Sequence, residues 1–301
     1  MTIDTDALLD RRRLKRRLFF WRTAAIIAVV AAIGIAVARI IDTDTGDHVA
    51  RLDVNSVIVE NDRRQQAIEE IGRDDSVKAL VVYINSPGGS TYASERLYKS
   101  LRRVAARKPV VAVIGTVGAS GGYMTALAAD RIFAGESSIT GSIGVIVQLT
   151  EFSKLMEKLG VSASSITSGK LKGEPSPFKP LSPEGRENLQ DMVSATHEWF
   201  VDMVASRRPI SRDKAELLAN GGIQIGLVAV KTGLVDELGG FPEARKWLES
   251  EKEIPASLPL VSVDYSAPKG LAERLLEGML GKSVISERLT LDGLISLWHP
   301  N

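Results

Sequence analysis

Two different arrangements of hydrophobic and polar positions divide the chain. From Leu18 to Ile41 the residues are apolar almost without interruption, and Thr23 to Ala38 carries no charge. From residue 48 onward, short apolar runs alternate with amphipathic segments. The first arrangement predicts a helix able to cross about 30 Å of hydrocarbon. The second predicts alternating strands and helices, which is typical of parallel α/β units.

The alternating part predicts an ordered series of elements. Apolar runs bounded by turn residues predict strands over 48–60, 77–84, 109–115, 130–135, 141–147 and 257–265. Helical periodicity predicts helices over 63–74, 92–107, 183–208, 211–220 and 241–251. Because the run 77–84 is apolar with little alternation, we expect it to be buried on both faces of a sheet.

These patterns predict five regions. They are a basic N-terminus, an anchor, a polar linker, one folded domain and a C-terminal tail, over residues 1–17, 18–41, 42–48, 49–265 and 266–301 respectively. The tail has an amphipathic part and an apolar end, so we expect it to cover another surface, such as a neighbouring subunit.

The charge distribution predicts how the anchor is oriented. The net charge is +1, but residues 1–22 hold seven basic and three acidic residues, so this end carries +4 and the rest −3. Positive charge before an apolar span predicts a cytoplasmic N-terminus, with the folded domain on the outer side of the membrane. A cleaved signal peptide is the alternative, since Ala36-Val37-Ala38 matches a cleavage pattern. No basic face runs along the domain, so nucleic-acid binding is not expected.

The first candidate for a catalytic residue is Ser120 in "VGASGGYM", which lies between an apolar run and a predicted helix. Residues 118–122 fit the Gly-x-Ser-x-Gly pattern of a nucleophile elbow. The backbone amides and the dipole at a helix start favour negative charge nearby. The alternative interpretation is that Ser120 only caps the helix.

The turn "NSPGGS", residues 85–90, ends the preceding apolar strand in the same way. Adjacent parallel strands bring Gly89 and Ser120 to the same edge of the sheet, where ligands bind in such folds. We therefore predict that the backbone amides of Gly89 and Gly121 donate hydrogen bonds to an oxyanion.

The base that would activate Ser120 is less evident. The chain has three histidines and no cysteine, so cysteine catalysis is excluded and no metal or cofactor is expected. His48 lies in the linker and His299 near the end, while His197 lies within a predicted helix, where a structural role is expected. A lysine can replace histidine when burial leaves its amine neutral. The loop-like stretch "TSGKLKGEPSPFKPLSPEG" offers candidates.

Five stretches occur in order over roughly residues 50 to 260: "YINSPGGS", "VGASGGYMTALAADRIFA", "SSITGSIGVI", "KLGVSASSITSGKLKGEPSPF" and "GLVDELGG". Together they resemble the short form of the signal peptide peptidase A family. These bacterial serine–lysine proteases are related in fold to the caseinolytic protease ClpP and to crotonases. The resemblance implies an α/β fold, a ClpP/crotonase-like spiral of ββα units, here preceded by one transmembrane helix.

The resemblance also implies roles for individual residues. By position in the motifs, Ser120 matches the nucleophile, and Lys172 rather than Lys170 matches the general base. Ser142 matches a serine that orients the lysine.

Gly89 and Gly121 match the oxyanion donors, with Gly88 as the alternative to Gly89. The implied protein is a homo-oligomeric ring in the bacterial inner membrane, with active sites completed across subunits. Its implied substrates are signal-peptide remnants left in the membrane after secretion.

Three other functions remain to be weighed. One is an α/β-hydrolase esterase that uses Ser120 with His197. Another is a non-enzymatic, crotonase-like scaffold held at the membrane. The third is an acyl-CoA hydratase or isomerase on the related fold, which a domain outside the cytoplasm disfavours. For the protease, the glycine-lined approach to Ser120 predicts small side chains next to the cleaved bond.

Overall fold

The computed structural model describes residues 5–41 and 46–265, although not every side chain of the N-terminal helix. The chain divides into two compact units, residues 1–47 and 48–301. Most of the predicted linker, the whole predicted tail and His299 lie outside the described residues.

The first unit is the helix α1, Thr5–Ile41. Within it, Arg17–Gly34 has a mean hydropathy of 1.6, and none of its residues is buried. Eighteen helical residues extend about 27 Å, close to the thickness of a hydrocarbon core. By length and composition, this helix is therefore able to cross a membrane.

The second unit alternates strands and helices along the chain. The strands are β1 His48–Asn55, β2 Val77–Ser86, β3 Val110–Ala119, β4 Arg131–Ala134, β5 Ile139–Gly141, β6 Ile223–Ile225, β7 Glu237–Leu238 and β8 Leu260–Ser262. The helices are α2 Asp62–Arg73, α3 Thr91–Ala105, α4 Gly121–Ala126, α5 Ser153–Lys158, α6 Pro183–Arg207, α7 Arg212–Leu218, α8 Gly226–Thr232 and α9 Phe241–Lys252.

These strands form one sheet in the order β6-β5-β3-β2-β1-β8, with β4 beside β3 and β7 beside β4. Among the described strands every pairing is parallel except that of β5 with β6. Strand β3 changes partner along its length, because Val111–Ile114 pairs with β4 and Val117–Ala119 pairs with β5. The predicted parallel α/β organisation is confirmed.

The sheet is covered on both faces, which explains the continuous apolar run in β2. Leu80, Val82 and Ile84 pack into the larger hydrophobic cluster, with residues of α2, α3, α4 and α6. Ala79 and Val81 point to the other face and pack into a second cluster that includes residues of α9. Burying each large aliphatic side chain contributes about 1.5–3 kcal/mol, so β2 and β3 are the most firmly held strands.

One predicted strand, 141–147, is wrong. The strand lies earlier, at Ile139–Gly141, and ends where Gly141 and Ser142 adopt positive φ angles of 84° and 49°. Left-handed backbone cannot continue a β-ladder. The amide of Ser142 instead donates to the carbonyl of Gly222 at 2.7 Å.

The long helix predicted over 183–208 is confirmed as α6. It begins after Ser182, whose hydroxyl accepts from the amide of Gly185 at 3.0 Å. Pro183 occupies the first turn, where its missing amide proton costs no hydrogen bond. The capped helix predicted to start at Ser211 is likewise confirmed as α7.

Residues 145–180, which we call the 145–180 segment, differ from the rest of the second unit. Their regular structure is limited to α5, and no residue in this fully described range is buried. Many of its apolar side chains are exposed instead: Ile146, Leu149, Phe152, Leu155, Leu159, Val161, Ile166, Leu171 and Phe178. Such a concentration of exposed apolar side chains indicates an interaction surface.

Candidate active site

Ser120 lies at the junction of β3 and α4 in a strained conformation. Its backbone angles are φ 52° and ψ −119°, which a residue with a side chain adopts only at a cost of about 1–3 kcal/mol. Its amide donates to the carbonyl of Gly141 at 2.8 Å, and its carbonyl accepts from the amide of Met124 at 2.9 Å. The Ser120 side chain makes no capping hydrogen bond to α4. Helix capping therefore does not explain this serine.

The turn after β2 directs one amide towards Ser120. Gly89 forms an isolated parallel bridge with Ile58, in which the amide of Ile58 donates to the carbonyl of Gly88 at 2.8 Å. Because the carbonyl and the amide of a trans peptide point in opposite directions, the amide of Gly89 points away from Ile58. Among the described residues, neither Gly89 nor Gly121 donates its amide to a hydrogen bond.

These two amides lie close together. A Cβ atom built on Gly121 would be 3.3 Å from the amide nitrogen of Gly89. A Cβ atom built on Gly88 would be 2.8 Å from the amide nitrogen of Gly121 and 2.9 Å from Cβ of Ser120. Gly88 also has a φ of 106°, which favours glycine. The arrangement thus places two available donors beside one hydroxyl, as an oxyanion hole requires.

Polar contacts from other elements hold α4 in place. Tyr123 is fully buried, and its hydroxyl donates to the carbonyl of Leu234 at 2.8 Å. Burial raises the pKa of Tyr123 well above its ordinary value, so the hydroxyl stays a donor. At the other end of the helix, the guanidinium of Arg207 donates to the carbonyls of Leu127 and Ala129 at 2.8 and 2.9 Å.

A small pocket of about 20 Å³ adjoins Ser120. Its lining residues are Gly89, Thr91, Ser94, Ser120, Gly121, Met124, Gly144, Val145, Thr196, Trp199 and Phe200. None of these carries a titratable acid or base that works near neutral pH. The pocket is therefore uncharged, and the residues that line it supply no general base.

Lys172, which the sequence resemblance implies as the base, is not brought to Ser120 within one chain. It lies exposed on the 145–180 segment and is not among the residues that line the pocket. Its amide donates to the carbonyl of Gly169 at 3.1 Å, which fixes only its backbone. The structure thus brings together Ser120, Gly89 and Gly121 but leaves Lys172 apart from them.

Ser142 lies closer to the candidate nucleophile. It follows β5, which pairs with the last residues of β3, and the preceding carbonyl of Gly141 accepts from the amide of Ser120. The side chain of Ser142 is half-buried and outside the lining of the pocket. Its place at the same sheet edge suits a role beside an incoming amine.

The two described histidines, His48 and His197, lack the geometry of a catalytic base. Nε2 of His197 is 2.7 Å from the carbonyl oxygen of Ala219, so this ring is engaged with the end of α7. His48 is buried in β1. Neither lines the pocket beside Ser120. These contacts disfavour the esterase hypothesis that paired Ser120 with His197.

Two serines near the site were not predicted from the sequence. Ser86 ends β2 and is fully buried, and its hydroxyl accepts from the amide of Gly88 at 3.1 Å. Ser94 is also fully buried, lines the pocket and donates to the carbonyl of Ser90 at 2.9 Å. Ser86 lies in the turn "NSPGGS", but the sequence does not indicate which backbone atom its hydroxyl contacts.

The parallel α/β unit, the strained serine between strand and helix, and the adjacent glycine amides define a serine hydrolase. The comparison with known families makes this specific. The sequence profile of Peptidase family S49 matches residues 102–255, and that of Clp protease matches residues 63–139. The chain belongs to peptidase family S49 and is a serine protease with a ClpP-like α/β fold. The predicted family and fold class are confirmed, and the non-enzymatic and acyl-CoA hypotheses are wrong.

Individual relatives agree with this assignment. A candidate protease of Methanocaldococcus jannaschii is 37% identical over 234 residues, which cover 74% of this chain and 75% of the relative. Serine protease SPPA of Arabidopsis thaliana chloroplasts is 34% identical over 76% of this chain and 34% of its own length. A candidate signal peptide peptidase SppA of Enterococcus faecium is 34% identical over 68% of this chain and 64% of its own.

Proposed function

We propose that this protein is a membrane-anchored serine–lysine endopeptidase that degrades signal-peptide remnants after their release by signal peptidase. The observation that carries the proposal is the conformation of Ser120, strained and uncapped beside the amides of Gly89 and Gly121. Backbone strain of this kind is concentrated at active sites.

In the proposed reaction, a neutral Lys172 amine takes the proton of the Ser120 hydroxyl as the oxygen attacks a peptide carbonyl. The amides of Gly89 and Gly121 donate to the resulting oxyanion. The lysine then gives its proton to the leaving amine, and an acyl-enzyme remains on Ser120. Water, deprotonated by the same lysine, attacks the ester and releases the second product, which regenerates the hydroxyl. Ser142 orients the lysine throughout.

We propose that Lys172 reaches Ser120 from a neighbouring copy in a homo-oligomeric ring. Two observations support this. The pocket beside Ser120 has no base of its own, and the candidate base lies on the 145–180 segment, whose apolar side chains are exposed. Burying this segment against a second copy would remove apolar surface from water. It would also shield the amine, which favours its neutral form.

The pocket indicates which residue precedes the cleaved bond. Its lining combines small and apolar side chains, and Trp199, Met124 and Phe200 bound its volume. Charged side chains would enter it unpaired, at a high desolvation cost. We therefore propose small uncharged side chains at this position, which signal peptides contain. Rapid cleavage after a bulky aromatic residue in a peptide library would contradict this preference.

The helix α1 supplies the proposed anchor, with a cytoplasmic N-terminus and the catalytic domain outside the inner leaflet of a bacterial plasma membrane. Support comes from the length and hydropathy of Arg17–Gly34 and from the basic residues before it. The chain has no cysteine, so single cysteines report topology cleanly. In intact spheroplasts, an impermeant maleimide should label Ser250→Cys, at an exposed position of α9, but not Thr2→Cys. The reverse pattern would overturn the orientation.

Three substitutions in the full-length protein test the dyad. We expect Ser120→Ala and Lys172→Ala each to lower kcat/KM for peptide hydrolysis by at least about 10³-fold, because members of such a unit fail together. Lys170→Ala is the matched control, two positions away on the same exposed segment, and should keep activity within about twofold. If Lys172→Ala kept full activity and Lys170→Ala lost it, Lys170 rather than Lys172 would be the base.

Mixing inactive variants tests the sharing of sites between copies. If Lys172 acts on a neighbouring Ser120, co-assembly of equal amounts of Ser120→Ala and Lys172→Ala restores roughly a quarter of wild-type activity. Each site then has even odds of an intact serine and, independently, of an intact lysine. If the lysine acts within its own chain, mixing restores nothing.

A further inference from the structure

The oxyanion donor Gly89 belongs to a turn that is held from two sides. On one side, the carbonyl of Gly88 accepts from the amide of Ile58 at 2.8 Å, and the amide of Ser90 donates to the carbonyl of Ile58 at 3.0 Å. On the other side, the buried hydroxyl of Ser86 accepts from the amide of Gly88 at 3.1 Å. The same hydroxyl also donates to the carbonyl of Gly88 at 3.4 Å, so both side-chain contacts of Gly88 come from Ser86.

These contacts hold the two peptide planes on either side of Gly88. The bond from Ile58 fixes the plane that joins Gly88 to Gly89 and so directs the amide of Gly89. The hydrogen bond that Ser86 accepts holds the preceding plane, which carries the amide of Gly88. The longer bond that Ser86 donates is a second hold on the plane of the Gly88 carbonyl. Between the two planes lies Gly88 at a φ of 106°, and a glycine there has little intrinsic preference. Without the hydroxyl of Ser86, Gly88 is free to rotate, and the peptide plane that carries the Gly89 amide rotates with it.

The surroundings leave little room for a different arrangement of the turn. A Cβ atom on Gly89 would collide with the carbonyl oxygen of Ile58. A Cβ atom on Gly122 would lie 2.6 Å from the carbonyl oxygen of Ser86, so the end of β2 packs directly against the first turn of α4. Ser86 therefore connects the donor turn with the helix that carries the second donor.

We infer that Ser86 is a positioning residue of the oxyanion hole, which aims the amide of Gly89 through its hydrogen bond with Gly88. It touches neither substrate nor the reacting atoms. The inference rests on the proposed function, because an oxyanion hole has meaning only if Ser120 attacks a carbonyl.

A positioning role differs measurably from a merely structural one. A loss of stability would weaken the binding of all ligands and lower the concentration of active enzyme. Misorientation of the Gly89 amide would instead weaken the binding of ligands that carry an oxyanion, because only these accept a hydrogen bond from it. A peptide aldehyde forms such an oxyanion with the serine, whereas the corresponding peptide alcohol does not.

The experiment measures kcat, KM and the inhibition constants of both peptides for full-length Ser86→Ala. We expect kcat to fall by about 10- to 100-fold with KM within about twofold, since the donor is misaimed rather than removed. Affinity for the aldehyde should fall by a similar factor, while affinity for the alcohol stays within about twofold. Ser86→Cys keeps the volume with a weaker acceptor and should lie between wild type and Ser86→Ala.

Ser100→Ala is the matched control. Ser100 is a buried serine on α3 whose hydroxyl contacts Gln65 and the carbonyl of Arg96, away from the turn. It should leave the ratio of aldehyde to alcohol affinity unchanged. If Ser86→Ala does not fold, the ratio measured for Ser86→Cys decides.

An unchanged ratio in folded Ser86 variants would overturn this inference alone. A wild-type protein that neither cleaves peptides nor responds to the aldehyde would overturn the proposed function itself. The two failures are therefore distinguishable.

Discussion

The catalytic floor, residues 86–90 and 118–122, contrasts with the 145–180 segment that carries Lys172. The floor follows two central strands, and Ser86, Gly121 and Gly122 are buried. Its turns are held by hydrogen bonds to neighbouring backbone. The segment is mostly exposed, has no buried residue and contains the single short helix α5.

This difference favours the proposal that two copies of the chain complete one active site. The nucleophile and its donors need angular precision, which the packed sheet supplies. The proposed base needs shielding from water, which the exposed segment does not have alone. Assembly with a second copy would complete the site, and activity would then depend on concentration.

The floor should not tolerate a single added methyl group. Gly89→Ala places a Cβ atom against the carbonyl oxygen of Ile58 and must displace the turn. We expect kcat to fall by about 10²–10³-fold, the range seen when an oxyanion donor is lost. Gly169→Ala is the control on the 145–180 segment, where a Cβ atom meets nothing within 4 Å. If Gly89→Ala kept full activity, Gly89 would not be a donor.

Substitutions in the 145–180 segment should instead impair the assembly of copies. Ile166 is fully exposed on it, so Ile166→Asp should leave the fold of one chain intact. If this surface binds a second copy, we expect assembly and activity to weaken about tenfold, measured by sedimentation and peptide hydrolysis at matched concentrations. Leu217→Asp, at an exposed position of α7, is the control. Equal effects of both variants would argue against the 145–180 segment as the interface.

Strain at Ser120 should be visible in stability. Glycine adopts positive φ without penalty, so Ser120→Gly should be more stable than Ser120→Ala by about 1 kcal/mol in chemical denaturation. At Ser194, inside α6, the order should reverse, because glycine destabilises helix interiors by about 1 kcal/mol relative to alanine. The same order at both positions would mean that Ser120 is not strained.

The smallest effect concerns pH and the end of the 145–180 segment. The hydrogen bond from Lys179, at 2.9 Å, lowers the pKa of Glu174 below its ordinary value of 4.5. A carboxyl group with a lowered pKa in the folded state stabilises that state above its unfolded pKa. This contribution is lost as pH falls through the lowered value. The stability difference between wild type and Glu174→Gln should therefore shrink below about pH 4.5, and a difference independent of pH would contradict the assignment.

Much of the fold could be predicted from the sequence, because buried strands and helix starts have characteristic local sequences. The apolar runs 77–84 and 109–115 became β2 and β3, and Ser182 with Pro183 marked the start of α6. The strand expected over 141–147 was wrong, because apolar residues alone do not reveal that Gly141 and Ser142 turn the backbone into the left-handed region.

For the site, the sequence by itself determined which residue types follow the central strands: glycines at 88, 89 and 121, and one serine at a helix start. Only the tertiary structure decided what their atoms do. The strain at Ser120, the direction of the Gly89 amide and the hydrogen bond of Ser86 each depend on neighbours that are distant in the chain or on the dihedral angles of one turn. The physical reason is that the pattern of apolar residues within one segment already indicates which side chains are buried. The orientation of an amide or a hydroxyl, in contrast, depends on contacts between segments that are separate in the sequence.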